Sequence, residues 1–385
     1  MDGPDDFDRT TVREAARAVL AAHWVPEGYT APNPATYPWQ WLWDSCFHAL
    51  CWTELGDDRG LEEIRTALSV QAADGFVPHM NYVREPGVAA DLWGRPGASS
   101  ITQPPMYGHA LAEMVRRGVE VEPETVAAAE WGLRFLLFDR ERLPGGLVAL
   151  CHPWESGADD SPRWDDFCPG GFTRDRWRPI KNRLVATVER SACGSPVANP
   201  AFDCASAGFN ALVVFNAWEL ASVTGRTEVT ERADELAGCL AAQWDEPRRT
   251  WADAGLAATG SGRARTLDGL LAMLVAEEPD RIDAAAEALT DPEAYGGGCG
   301  PAGVHRAEPG FDPRAYWRGP AWPQLSYLMW VGLLRHGRQE AAAAVAAATV
   351  RGAMRSGFAE YWDPDDGTAG GAVPQGWAAV AALMV

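Results

Sequence analysis

Between Cys151 and Trp164 the chain reads Cys-His-Pro-Trp-Glu-Ser-Gly-Ala-Asp-Asp-Ser-Pro-Arg-Trp, so Glu155, Asp159 and Asp160 stand among indoles, Gly and Pro where no hydrophobic period can run. Carboxylates beside indole faces point to sugar chemistry. An acid that protonates a leaving oxygen near neutral pH needs a raised pKa, and an apolar wall raises it by disfavouring the ionised form. Trp supplies that wall, and its face stacks on the apolar C–H face of a sugar ring. Taken alone, the stretch is better read as a solvated acidic loop over core tryptophans. The rest of the chain has to decide between the two.

Composition narrows the partners. The 385 residues contain 18 Trp, spread from Trp24 to Trp377, so aromatic surface is used along the whole length. The net charge is −20 and Lys181 is the only lysine. Phosphates would meet a repulsive field with no basic stripe, which argues against nucleic acid. An acidic, Lys-poor surface suits high ionic strength, as in a halophile, although a GC-rich genome would also favour Arg over Lys. The opening Met1-Asp2-Gly3-Pro4-Asp5-Asp6 has neither a basic nor an apolar signal region, and no apolar run is long enough to span a bilayer. A cytoplasmic protein without a membrane partner is expected. Eight cysteines without a C-x-x-C pair read as buried thiols rather than a metal or disulfide framework.

Apolar residues recur at helical spacing in segments closed by Gly, Pro or Asp. Helices are expected near 8–24 (with Thr10 and Thr11 as caps), 43–55, 58–73, 104–117, 123–138, 206–224, 228–244, 265–276, 280–289, 321–336, 338–355 and 376–385, with no strand-rich domain. Long connections at 25–42, 74–102, 139–182, 193–205, 294–320 and 357–375 alternate with short ones for most of the chain. Helical hairpins circling an axis would gather all the long loops at one end, where a site would form. No linker interrupts 1–385, so one all-α domain is expected.

Five motifs occur in a set order: Tyr37-Pro38-Trp39-Gln40-Trp41-Leu42-Trp43-Asp44-Ser45, Ile101-Thr102-Gln103-Pro104-Pro105, Glu155-Ser156-Gly157-Ala158-Asp159-Asp160-Ser161, Tyr316-Trp317-Arg318-Gly319-Pro320-Ala321-Trp322 and Glu360-Tyr361-Trp362-Asp363-Pro364. In this order they resemble glycoside hydrolase family 63, specifically its mannosylglycerate and glucosylglycerate hydrolase branch, from about Tyr37 onward. The resemblance implies an (α/α)6 barrel and an inverting acid and base, with no cofactor and no metal. The acid of the Ser-Gly-x-Asp motif falls on Asp159, with Asp160 its neighbouring rival, and the base falls on Glu360. Inversion needs such carboxyls about 6.5–9.5 Å apart to admit a water.

The same resemblance implies that Asp44 binds sugar hydroxyls, though an Asp at a helix start is also a natural cap. Trp41, Trp43 and Trp322 would frame the sugar, with Trp154, Tyr316 and Trp317 as further walls, while Tyr37 and Gln103 would hold the substrate near its aglycone. Arg318 could bind a hydroxyl or a glycerate carboxylate through its planar fork, or serve loop carbonyls instead. His79 reads as a packed loop histidine. Two positions depart from the family pattern. Ser326 stands where Asn is common, and Ala207-Gly208-Phe209-Asn210 replaces Asp-Pro-x-Phe-Asn. The expected activity is exo-hydrolysis of an α-glucosyl or α-mannosyl unit from a small carbohydrate such as glucosylglycerate or mannosylglycerate. The alternatives are an exo-α-glucosidase on short oligosaccharides and a catalytically idle carbohydrate-binding barrel.

Overall fold

Two kinds of helix are distinguishable by how their apolar residues are spread. In a computed structural model describing residues 7–385, twelve α-helices are α1 Arg9–His23, α2 Leu42–Glu54, α3 Arg59–Leu68, α4 Ala90–Trp93, α5 Tyr107–Arg116, α6 Pro123–Arg134, α7 Arg174–Ala186, α8 Ala207–Thr224, α9 Glu228–Ala241, α10 Pro279–Thr290, α11 Pro323–Arg335 and α12 Gln339–Ser356. Helix α2 is buried without interruption from Leu42 to Trp52, and α8 is buried from Ala207 to Ala217. A helix that is covered all round belongs in the interior. By contrast α1 buries only Val12, Ala16, Leu20 and His23, one stripe of an amphipathic cylinder.

The interior pieces form a closed circuit. Helix α2 packs on α5, α5 on α8, α8 on a 3-10 helix at Leu267–Leu274, that segment on α11, and α11 on a second 3-10 helix at Gly376–Leu383, which returns to α2. Striped helices cover this circuit from outside: α3 lies on α2, α9 on α8, α12 on α11, and α1 against both Gly376–Leu383 and α2. One large apolar cluster fills the space between. Among the described residues β-structure amounts to six two-stranded antiparallel ladders, such as Gln40–Trp41 with Met80–Asn81 and Tyr361–Trp362 with Ala369–Gly370, and six isolated bridges.

The expected helices are present, with five differences, the first being the short α4, which lies inside the expected 74–102 connection. The 265–276 and 376–385 segments are 3-10 rather than α, a distinction that apolar spacing cannot make when nearly every residue is buried. Helix α7 lies inside what reads as a loop, because it is mostly polar and carries Pro179 in its interior. Asp8, not Thr10 or Thr11, caps α1 by accepting from the Thr11 amide. Asp44 sits in the first turn of α2, and the capping position belongs to Trp41. Residues 1–6, read for a leader, lie outside the described residues. No described helix is long and apolar enough to cross a membrane, and all eight cysteines are free.

Candidate active site

At the end of the circuit where α2 and α11 begin, a cavity of about 100 Å³ is lined by Tyr37, Trp41, Trp43, Asp44, Gln103, Gly157, Asp159, Tyr316, Trp317, Glu360, Gln375, Trp377 and Pro32. Five of the six long connections contribute within or at their edges; the 193–205 connection does not. A water-sized group takes about 10–15 Å³ by this measure, so there is room for about seven to ten of them.

The acid loop is held by its indoles in a way that leaves one carboxyl free. Ser156 accepts from the Ala158 amide, the Trp164 Nε1–H donates to the Ala158 carbonyl at 2.9 Å, and the Trp177 Nε1–H donates to the Asp159 carbonyl at 2.9 Å. Gly157 has φ +77°, and a Cβ there would stand 2.6 Å from the Trp43 ring. Only glycine allows both the left-handed turn and that contact. Glu155 is fully buried, pairs with Arg140 through two hydrogen bonds of 2.6 and 3.0 Å, and also accepts from the Thr102 and Cys151 amides. Asp160 takes Lys181 at 2.7 Å and Arg174 at 3.1 Å, and Asp165 takes Arg318 through both oxygens. Asp159 alone among these four has no ion pair or side-chain hydrogen bond among the described residues. Burial pushes its carboxyl up to about 7, with Lys181 pulling it down and the charges of Asp160 and Glu360 pushing it higher.

Glu360 is seated by the hairpin that follows α12. Its amide donates to the Ala372 carbonyl, the Ala372 amide donates to Oε2 at 2.9 Å, and the Tyr37 hydroxyl reaches Oε1 and Oε2 at 3.1 and 3.2 Å. Gly371, at φ +71°, brings its backbone against the carboxylate where a Cβ would meet Oε2 at 2.2 Å. Burial raises the Glu360 pKa, while the hydrogen bonds from Ala372 and Tyr37 oppose the rise. The cavity therefore presents three carboxyls, Asp44, Asp159 and Glu360, to the same space, burial raising the pKa of each, an arrangement that can supply a general acid and a general base.

Over most of its length the chain is similar to proteins of known family. Residues 37–378 match the family model described as the mannosylglycerate hydrolase MGH1-like glycoside hydrolase domain. The chain belongs to that family. It is 29% identical to a mannosylglycerate hydrolase of Thermus thermophilus, over 92% of this chain and 96% of that one, and 28% identical to a glucosylglycerate hydrolase of Mycolicibacterium hassiacum over 99% of both. A crystal structure of a family 63 mannosylglycerate hydrolase, also from Thermus thermophilus and in complex with Tris and D-glycerate, superposes with a TM-score of 0.82 at 25% identity, over 97% of this chain and 99% of that one. The protein is a glycoside hydrolase.

Within the family frame, most residues read from the motifs meet in one place and three do not. Tyr37, Trp41, Trp43, Asp44, Gln103, Tyr316 and Trp317 line the cavity with Asp159 and Glu360. Trp322 is fully buried behind Trp317, stacked on it at 3.6 Å, so Trp317 forms the wall expected of Trp322. Trp317 adopts φ +59° to do so, a conformation uncommon for a bulky residue. Trp154 lies outside the cavity, over the Lys181 ammonium and beside His79 and His152. Arg318 is likewise absent from the walls, because Asp165 occupies its fork and the Asp160 carbonyl accepts from Nη1. His79 is packed among Trp41, Trp93 and Trp154, and burial lowers its pKa to about 3.

Gln375 and Trp377 are cavity residues that the motifs did not indicate. The Gln375 Nε2 donates to Asp44 at 3.4 Å, and the Trp377 Nε1–H donates to the Glu360 carbonyl. Their only signal was position, at the end of a long connection. Arg174, also missed, places its exposed guanidinium over the Tyr316 ring at 4.9 Å. The two departures from the family pattern fall away from the cavity walls. Ser326 donates back to the Trp322 carbonyl, while Asn210 bonds both the amide and the carbonyl of Val148 at the start of α8. Among the described residues, His109, Glu113 and Glu219 are grouped closely enough to hold a cation, but Arg116 and Arg335 already pair with Glu219.

Proposed function

We propose that the protein is an inverting, exo-acting α-glycoside hydrolase that releases a glucosyl or mannosyl unit from glucosylglycerate or mannosylglycerate. Asp159 gives its proton to the glycosidic oxygen, and Glu360 takes one from the water attacking the opposite face of the sugar. The observation that carries this reading is that Asp159, which unlike Glu155, Asp160 and Asp165 holds no cation, faces the same cavity as Glu360. Its pKa of about 7 keeps the proton available near neutrality.

The walls suit a hydroxylated ring. Trp41 and Trp317 keep indole N–H groups, and Gln375 a carbonyl oxygen, without protein partners. A cavity of about 100 Å³ is small, which favours cleavage of a single terminal unit, and the Arg174 guanidinium lies over Tyr316 while paired with Asp160. The relatives' names, mannosylglycerate and glucosylglycerate hydrolase, support the same substrate class. The circuit of six inner segments covered by striped helices is read as an (α/α)6 toroid of one domain, acting in the cytoplasm on a small carbohydrate. Hydrolysis of glucosylglycerate, mannosylglycerate, trehalose and maltose, with the first anomer followed by NMR, tests the reading. The β anomer from a glycosylglycerate is expected. A first-released α anomer, preference for trehalose or maltose, or full activity in Asp159→Asn or Glu360→Gln would overturn it.

A further inference from the structure

The only lysine of a chain with 33 basic residues is buried beside the proposed acid. Lys181 Nζ lies 2.7 Å from Asp160 Oδ1, with the rings of Trp154 and Trp177 at 5.4 and 5.8 Å. Arg174, Trp177 and Lys181 are spaced three and then four residues apart on α7, which puts them on one face. That face meets the acid dipeptide at three points: Arg174 and Lys181 on the Asp160 carboxylate, and the Trp177 indole on the Asp159 carbonyl. The His152 Nε2 donates to the Lys181 carbonyl, so the start of the acid loop is tied to the same turn of α7.

A compact ammonium fits this slot better than a guanidinium, whose planar fork needs partners for five donors. Without Lys181, the buried Asp160 charge next to Asp159 would keep only the exposed Arg174 as its partner. Two like charges so close titrate as a pair, and the proton would belong to the pair rather than to Asp159.

We propose that Lys181 is a positioning residue for the acid: by pairing with Asp160 it cancels the adjacent charge and fixes α7 on the dipeptide, leaving Asp159 as the carboxyl that carries the transferable proton. This rests on Asp159 being the acid. Besides Lys181, Arg174 and Asp160, the groups that act on Asp159 are Glu360, Asp44, Tyr37 and Tyr316 from the other loops and α2. None of these four changes in the variants below, so differences between variants report the pair itself.

The test is the pH profile of kcat/KM on whichever of glucosylglycerate and mannosylglycerate is cleaved faster. Lys181→Gln removes a positive charge and should move the alkaline limb up by about 0.5–1 pH unit, whereas Asp160→Asn leaves the ammonium unopposed and should move it down by a similar amount. The double variant Lys181→Gln/Asp160→Asn should return the limb towards the wild-type position, and Lys181→Arg, if folded, should stay nearer wild type than Lys181→Gln. Should Lys181→Gln fail to fold, Asp160→Asn and the double variant still carry the test. An unmoved limb, or shifts of the same sign in both single variants, would overturn the proposal. Asp159→Asn is measured in the same series. If it is inactive while the limb does not move, the role of Lys181 fails and the acid assignment stands; if it is active, both fail.

Discussion

The Tyr37 hydroxyl touches both oxygens of Glu360, at 3.1 and 3.2 Å, across 323 residues of sequence. This contact stabilises the ionised form of the carboxylate and fixes its plane. Tyr37→Phe should therefore raise the acid limb of the pH profile and lower kcat by about 10–100-fold, with a smaller change in KM. Steady-state kinetics between pH 4.5 and 8.5 check this. An unchanged acid limb would remove Tyr37 from the setting of the base.

The Asp159 carboxyl, raised from 3.8 to about 7, makes two outcomes expected. In its proposed role as acid Asp159 gives up this proton, so kcat/KM should fall as pH rises through about 7. Stability is linked to the same proton: it is fully favoured below the unfolded value and lost as pH rises to the folded one. Asp159→Asn should abolish hydrolysis yet be more stable than wild type at pH 8, with the advantage shrinking by about 2 kcal/mol on going to pH 5.5. Urea unfolding at the two pH values measures it.

Gly157 meets two demands at once, a φ of +77° and a backbone pressed on Trp43. Gly157→Ala should cost about 1–3 kcal/mol and displace the acid loop, so activity should fall more steeply than the melting temperature. Wild-type kcat in this variant would show that the loop tolerates the displacement.

Glu155 and Arg140 form a fully buried pair, whereas Asp165 and Arg318 are partly exposed. Removing one buried partner leaves an uncompensated charge, so Arg140→Met should destabilise by about 3–5 kcal/mol. Asp165→Asn should cost far less. Thermal unfolding of the two variants side by side separates them, and equal losses would contradict the difference in burial.

The motifs on the long connections were legible because each joins residue types with a chemical purpose: indoles for a ring, carboxyls for protons, Gly where the backbone must turn. Asp159, Glu360, Asp44 and the Trp41 to Trp43 run do share a cavity. Gln375, Trp377 and Arg174 were not legible, since a single polar or aromatic residue in a loop carries no period and no partner in the linear text. Helix α7 was hidden for a related reason: with Pro179 inside and a polar exterior, it lacks the apolar stripe by which helices are read.

Sequence alone determined most of the helical segments, because apolar spacing reports the burial each segment needs, and named most of the residues that line the cavity, because indoles and carboxyls stand together in its motifs. Tertiary structure decided which carboxyl is free. Glu155, Asp160 and Asp165 hold the cations of Arg140, Lys181, Arg174 and Arg318, whereas Asp159 holds none and lines the cavity. Each of those cations lies 14 or more residues from its partner, Arg318 as far as 153. A carboxyl's proton affinity is set by the charge and burial around it, and those are assembled only when the loops meet.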